Sequence, residues 1–488
     1  MSLQLELADL AHLGKIREVL AANDPRGQFS PLGMDQLVIA ADAVDRLVET
    51  VAAQLTRVGR PGPGRRVKLI ADKVAIQRGG QDLKQLVATR LAERFEVSRI
   101  TLDDGHATLH ADEGVQDQAA VAAEGADCIV SVGGGTVTDV AKIAAMRAKV
   151  PVHVVVQTAA SVDGFTDNFS VVLQKGVKRT LLTRWPDAVL TDTRVLAEAP
   201  HMLNAAGLGE LLSMYVAPGD WYLAAQFGID DTFTPTLVEM LALCGDGVAD
   251  WSAGVGRGDV EGVERLASAL AMRGIVTGCG GTSASLSGME HVISHMLDMH
   301  HAERHEPTGL HGAQVGVASV VAAAAWEVFC ERMEEAPLDP ASLFPDEAGL
   351  ERRLRAAFGS LDPSGRLAGE CWGHYRQKAA KWSANREAVA RFFAAWPTHR
   401  ERHATLVLPS TTIATCLLNA RAPMRSGDLR PALAPDLFGW AVANCQFMRE
   451  RFTVADLLTF AGWWDADGVA RVLARVEAAC SAAEAGRS

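Results

Sequence analysis

Six of the chain's 14 histidines fall between residues 291 and 311: His291, His295, His300, His301, His305 and His311. His291 and His295, in GMEHVISHMLDM, are four residues apart and share one face of a helix. His311 opens LHGAQVGVASVV, the start of a second apolar helix. Neutral imidazoles from two helices, joined by one carboxylate, make an open three-ligand site for a divalent metal. The open position admits a substrate oxygen, which the ion polarises. An imidazole on an apolar face is as readily a hydrogen-bonded core residue. His300, His301 and His305 lie in HHAERHEPTG, which reads as a polar connector with solvated or supporting histidines.

A second centre lies in IVSVGGGTVTDVAKIAA. Gly133, Gly134 and Gly135 let the backbone come within hydrogen-bonding distance of a pyrophosphate. The helix that follows offers unpaired N–H groups and a positive dipole end. Thr136 or Thr138 can add a hydroxyl, and Asp139 can cap the first turn. The run is not the GxGxxG fingerprint, and a tight turn without ligand is the competing reading. Asp72 ends the strand in LIADKVAIQRGG. A carboxylate there accepts from an adenosine ribose and repels a 2′-phosphate, favouring NAD over NADP; a helix N-cap is the alternative. LQKGVKRTLLTRW gathers Lys175, Lys178, Arg179 and Arg184 in what reads as a hairpin, either as counter-charge for a phosphate or as a solvated basic turn.

The elements that must hold these groups are legible. VKLIA (67–71), SRITL (98–102), DCIVSV (127–132), VHVVVQ (152–157) and AVLTD (188–192) are short apolar runs. Helical patterns such as QDLKQLVATRLAERF (81–95) separate them. The alternation predicts a mostly parallel sheet with helices on both faces. After residue 196 alanine- and leucine-rich helical periodicity takes over. The expected organisation is an α/β dinucleotide-binding domain over 1–195 and an all-helical metal- and substrate-binding domain over 196–488. Residues 330–405 read as helices with Pro-rich joints, an enlargement of the helical domain.

Composition narrows the function. The chain has 488 residues, is 48% apolar and carries a formal charge of −12, which argues against nucleic acid as a partner. No run of 18 apolar uncharged residues suggests a membrane span, and MSLQLELADLAHLGKIREVL does not read as a signal peptide. The eight cysteines occur singly, without a CxxC pair, as expected of reduced thiols in a cytoplasmic protein.

Together these pieces resemble the iron-dependent alcohol dehydrogenase and dehydroquinate synthase superfamily, and within it the sn-glycerol-1-phosphate dehydrogenases. The resemblance rests on VSVGGGTVTDVAK, VQTAASVDGFTD, PDAVLTDTRVLAEAP with HMLNAAGLGELLS, SGMEHVISHMLD, LHGAQVGV and MRERFTVADLL. It implies a Rossmann-like N-terminal domain, an all-α C-terminal domain and a dehydroquinate synthase-like architecture. It places Gly133, Gly134, Gly135 and Thr136 at the pyrophosphate and Asp72 at the ribose, and Asp139, in the first turn of the helix, is a further cofactor-binding candidate read from the residues themselves. Thr158 and Ser161 would line the nicotinamide. Asp163, in SVDG, would contact the substrate's hydroxyl groups, and His295 the substrate or its phosphate. His291 and His311 match two metal ligands. The third is Glu210, in GLGELL, where the family has aspartate. Asp167 is a further acid that the family's segment usually lacks.

The implied activity is a metal-dependent NAD(P)(H) oxidoreductase that interconverts dihydroxyacetone phosphate and sn-glycerol 1-phosphate by hydride transfer at C2, with the C2 oxygen on the metal. The expected ion is zinc, with nickel or iron also suited to the donor set. The expected partner is a small phosphorylated triose or polyol, in a homodimer or higher homo-oligomer. The alternatives are a dehydrogenase of another polyol or polyol phosphate, a sugar-phosphate cyclase, or a non-catalytic nucleotide-binding homologue brought about by Glu210.

Overall fold

The computed structural model describes residues 3–106, 108–174, 177–336 and 338–486, with backbone alone at Val177 and Lys178. Its main sheet has six strands, in the order Gln36–Ala40, Ala188–Asp192, Val152–Gln157, Cys128–Gly133, Arg66–Ala71, Glu96–Thr101. Every pairing in it is parallel. The two central strands, CIVSVG and VHVVVQ, are buried along their whole length. That continuous apolar run is what a strand covered on both faces requires. The five expected strands are present within two residues of their expected limits.

The edge strand Gln36–Ala40 was not anticipated. It pairs only with Ala188–Asp192, in register Gln36↔Ala188. Its QLVIA sequence is just five residues, half-buried, between an irregular N-terminal stretch and a helical pattern. The basic segment does form a hairpin, Phe169–Gln174 against Val177–Leu182, antiparallel.

The chain divides into two compact units. One comprises Met1–Gly207 with Glu239–Gly281; the other comprises Leu208–Val238 with Thr282–Ser488. This differs from the single boundary expected at residue 195. Helices Val248–Arg257 and Val260–Gly280 belong with the sheet. Thr166 Oγ1 donates to the Ala271 carbonyl at 2.9 Å, and Ser30 N to that of Cys279 at 2.7 Å. Apolar helices look alike in sequence whichever core they join, so periodicity alone could not assign these two.

In the second unit every described element is helical. Its longest helix, His311–Glu335, has the length and composition of a membrane span, but 83% of its most apolar window is buried inside the protein, the position of a core helix. Residues 330–405 form the helices Glu347–Gly359, Arg366–Ala384, Arg386–Ala394 and Trp396–Ala404, as their pattern suggested. They are joined firmly to the unit. Trp382 stacks on Phe452 at 5.3 Å, and Lys378 Nζ lies 2.8 Å from Asp456 Oδ1, with neither charged side chain exposed. The eight cysteines are unpaired, and all but Cys330 are buried.

Candidate active site

In the first unit the glycine run sits at a topological switch point. The chain leaves strand Arg66–Ala71 for its outer neighbour Glu96–Thr101, then returns to its other side as Cys128–Gly133. Open parallel sheets bind ligands at the carboxyl ends of strands where the order reverses in this way. Ala71 pairs with Val132, so Asp72 and Gly133 emerge side by side. The helix Gly135–Arg147 starts at once. Its N-cap is Gly134, and no side chain caps it, which leaves first-turn N–H groups for an anion.

The glycines of the run differ in their surroundings. A Cβ on Gly133 would lie 2.6 Å from Val137 Cγ2, whereas one on Gly134 would meet nothing within 4 Å. Gly133 permits packing, whereas the space beside Gly134 is open. Thr138 is buried, and its hydroxyl bonds back to the Gly134 carbonyl at 3.2 Å, so Thr136 is the hydroxyl left at the loop surface.

Asp139 does not cap the helix. Its Oδ2 accepts from Val171 N at 3.0 Å and its carbonyl from Ser170 Oγ at 3.2 Å, which ties the helix to the hairpin. Burial, opposed by Lys142 and reinforced by Asp167, pushes its pKa up to about 7. The unexpected acid Asp167 has a structural partner. Lys142 Nζ, fully buried, donates to Asp167 Oδ1 at 2.6 Å and to the carbonyls of Gly164 and Phe169 at 2.5 and 2.8 Å. Lys84 Nζ lies 2.7 Å from Asp72 Oδ1, so the charge expected to repel a 2′-phosphate carries a counter-ion.

Thr158, Ser161 and Asp163 follow strand Val152–Gln157. Asn204 Oδ1 accepts from Ala160 N at 3.1 Å, and a Cβ on Gly207 would stand 1.7 Å from the Ala160 carbonyl oxygen. The segment is therefore clamped beneath the helix His201–Leu212. Arg273 Nε donates to Asp163 Oδ2 at 3.1 Å.

The three residues expected to ligate a metal come together in the second unit. Glu210, His291 and His311 each offer an atom, all within 4.8 Å of one another. Close backbone packing permits this. A Cβ on Gly209 would lie 2.1 Å from the Gly312 carbonyl, and one on Gly316 would lie 2.8 Å from Gly209 Cα, so glycines seat Glu210's helix directly on His311's. Glu210 Oε1 is 3.3 Å from His291 Nε2, and Oε2 is 3.9 Å from His311 Nε2. The longer glutamate side chain thus keeps its carboxylate at both imidazoles.

The surrounding bonds aim these ligands. His291 Nδ1 lies 2.8 Å from Glu290 Oε1, which also accepts from Gly288 N at 2.7 Å. Ser294 Oγ gives its proton to Gln314 Oε1 at 2.8 Å, so at 3.0 Å it accepts from His311 Nδ1–H. Both histidines turn Nε2 toward Glu210, the atom a divalent ion would take, with any proton there leaving as the ion binds. Burial opposes charge on His291, but Glu210 and Glu290 outweigh it and push its pKa up to about 9. Two carboxylates here favour a cation between them. His295 lies beside the set, its ring stacked on His311 at 5.6 Å and 6.2 Å from His291.

Arg184 and the histidines of the expected connector depart from expectation. Arg184 is used internally, donating to the Val150 carbonyl and to Asp187 Oδ2, both at 2.6 Å. Arg179 is exposed on the hairpin. Lys175 lies outside the described residues, as does the Lys178 side chain. His300 and His301 are not in a connector but in the last turns of helix Met289–Arg304, where His301 is buried and bonded to the Leu297 carbonyl at 2.7 Å. Sequence reasoning missed Arg273, Glu290, Ser294 and Lys84. Only Glu290, next to His291 in SGMEH, carried a local signal.

Residues 43–200 match the family model of iron-containing alcohol dehydrogenases. A glycerol-1-phosphate dehydrogenase [NAD(P)+] from Geobacillus thermodenitrificans is 28% identical over 322 residues, 66% of this chain and 76% of the relative. One from Haloquadratum walsbyi is 35% identical over 240 residues, 49% of this chain and 66% of the relative. The crystal structure of glycerol dehydrogenase from Schizosaccharomyces pombe superposes with a TM-score of 0.52 at 15% identity, covering 92% of this chain and 89% of that one, a likeness of fold. Over residues 43–200 the chain matches the iron-containing alcohol dehydrogenases, it is similar to glycerol-1-phosphate dehydrogenases, and it is an oxidoreductase of the alcohol dehydrogenase type.

Proposed function

We propose that this chain reduces dihydroxyacetone phosphate to sn-glycerol 1-phosphate, reversibly, with NAD(H) or NADP(H) and one divalent metal. The observation that carries the reading is the Glu210, His291 and His311 set, with ligand atoms within 4.8 Å and both outer imidazole nitrogens already bonded. Similarity to glycerol-1-phosphate dehydrogenases supports this choice of substrate. A metal bound by these residues supplies Lewis-acid polarisation of the C2 oxygen, and zinc suits a carboxylate with two imidazoles.

The chain's own residues do the rest. The uncapped helix at Gly134 and the Thr136 hydroxyl bind pyrophosphate, and Asp72 holds the adenosine ribose. Lys84 beside Asp72 is compatible with either cofactor. Thr158 and Ser161 line the nicotinamide. Asp163, aimed by Arg273, orients substrate hydroxyls, and His295 contacts the substrate.

The test is loss of NADH or NADPH absorbance when dihydroxyacetone phosphate is added to zinc-supplied enzyme. The product's configuration is then checked with an enzyme specific for glycerol 3-phosphate. No oxidation of either cofactor removes the reading.

A second reading, dehydrogenation of an unphosphorylated polyol, is favoured by one observation. Arg184, a quarter of the expected phosphate-binding cluster, is spent on Asp187 and the Val150 carbonyl. Lys178→Glu with Arg179→Glu separates the two. The phosphate reading requires a raised KM for dihydroxyacetone phosphate; an unchanged KM favours the unphosphorylated substrate.

A further inference from the structure

A second group of metal-ligating side chains stands in the first unit, in the segment LDDGHATLHAD after strand Glu96–Thr101. Asp104, His106 and His110 each offer one ligand atom, all within 4.8 Å of one another. Asp104 Oδ2 is 2.7 Å from His110 Nδ1, and the rings of His106 and His110 lie 5.2 Å apart at 87°. Two imidazoles bound to one ion at ~2.0–2.1 Å hold their nitrogens no more than about 4.2 Å apart. Small rotations of two exposed side chains span that difference.

The carboxylate is prepared for a cation. The Asp104 side chain is 3% exposed. Backbone N–H groups of His106 and His110 hold it at 3.0 and 2.9 Å. Together with the His110 ring at 2.7 Å, these bonds fix the direction of the carboxylate. Its neighbour Asp103 pairs with Lys73, so Asp104 is the acid left facing the imidazoles. His106 and His110 are open to water, which completes the coordination shell of a surface site.

We propose that Asp104, His106 and His110 form a second site for a borderline divalent ion of the zinc, nickel or copper class. The site is independent of Glu210, His291 and His311. Bound there, the ion cross-links the loop between strand Glu96–Thr101 and helix Glu113–Ala122.

The test uses full-length protein stripped with chelator and titrated with zinc. The wild type should bind two equivalents. His106→Ala/His110→Ala should bind one and keep wild-type turnover. His291→Ala/His311→Ala should also bind one, retained at the loop. Loaded with copper(II), this last variant should show electron paramagnetic resonance splitting from two imidazole nitrogens. Zinc stoichiometry unchanged by His106→Ala/His110→Ala, or a copper spectrum without imidazole nitrogens, overturns the proposal. Loss of zinc only from His291→Ala/His311→Ala overturns it while leaving the proposed function intact.

Discussion

Arg273, its side chain 1% exposed, donates through Nε to Asp163 Oδ2 at 3.1 Å. The bond joins the SVDG segment to a helix more than a hundred residues further along the chain. Gly274 holds the two together, since a Cβ there would lie 2.5 Å from the Asp163 carbonyl oxygen. A buried guanidinium against a partly exposed carboxylate fixes where that carboxylate points. A misplacement of ~1 Å in a positioning group costs about a hundredfold in rate. Arg273→Gln should therefore lower kcat/KM for dihydroxyacetone phosphate about a hundredfold, and Arg273→Lys should recover part of the loss. Steady-state kinetics with a parallel thermal melt is the check; equal activity in both variants would show that Asp163 needs no aiming.

Glu290 bears on the candidate metal site through His291. Its Oε1 lies 2.8 Å from His291 Nδ1, and it is wholly buried. Outer partners of ligating histidines typically change metal affinity by ~10–100-fold. Glu290→Gln should weaken zinc binding by about that factor. Glu210→Asp should also weaken it, because the shorter side chain withdraws the carboxylate by about a bond length from imidazoles it now reaches. Competition with a chromophoric chelator reads both. Wild-type affinity in Glu210→Asp would mean that the helix spacing set by Gly209 and Gly312 gives way more readily than the structure indicates.

What could be read from sequence follows from how local each signal is. The glycine run, the strand before it and the helix after it are contiguous, so IVSVGGGTVTDVAK announced its own geometry. The spacing of His291 and His295 and the resemblance around His311 and Glu210 likewise named side chains that the structure brings together. Arg273 was invisible because nothing in LAMRGIVTG distinguishes a buried arginine facing a distant loop from a helix-surface one. Asp139 looked like a helix cap by position, but its partner Val171 belongs to a hairpin more than thirty residues away. The unit boundary failed for the same reason. Val248–Arg257 and Val260–Gly280 are helices by pattern, and only their partners decide which core they complete.

Gly207 and Gly134 make a contrasting pair. A Cβ at Gly207 would stand 1.7 Å from a backbone oxygen that cannot rotate aside, whereas at Gly134 it meets nothing within 4 Å. Gly134 also has φ −80°, ordinary for any residue. Gly207→Ala should destabilise the fold by at least the ~1–3 kcal/mol of an overpacked core. Gly134→Ala should change stability by no more than ~0.5 kcal/mol yet weaken NADH binding, because the methyl stands where the phosphate approaches. Denaturant unfolding and a fluorescence titration with NADH separate the two effects. Intact NADH affinity in Gly134→Ala would remove the pyrophosphate from this loop.

The buried Asp139 should give stability a pH dependence of predictable sign. Its carboxyl ionises near 3.8 when exposed, but burial, against the pull of Lys142, raises this to about 7 in the folded chain. Between those values the folded state keeps a proton that the unfolded state has released. Its contribution is therefore fully present below pH ~4 and is lost as pH rises through ~7. Asp139→Asn is neutral throughout and still offers an oxygen to Val171 N. The variant's melting temperature should gain on the wild type as pH rises from ~4 to ~8, at about 2–4 °C for each kcal/mol. Differential scanning fluorimetry across that range measures the gain. A difference that stays flat, or shrinks with rising pH, would mean that Asp139 is ionised in the folded chain throughout, with Lys142 as a full ion-pair partner across their 3.8 Å separation.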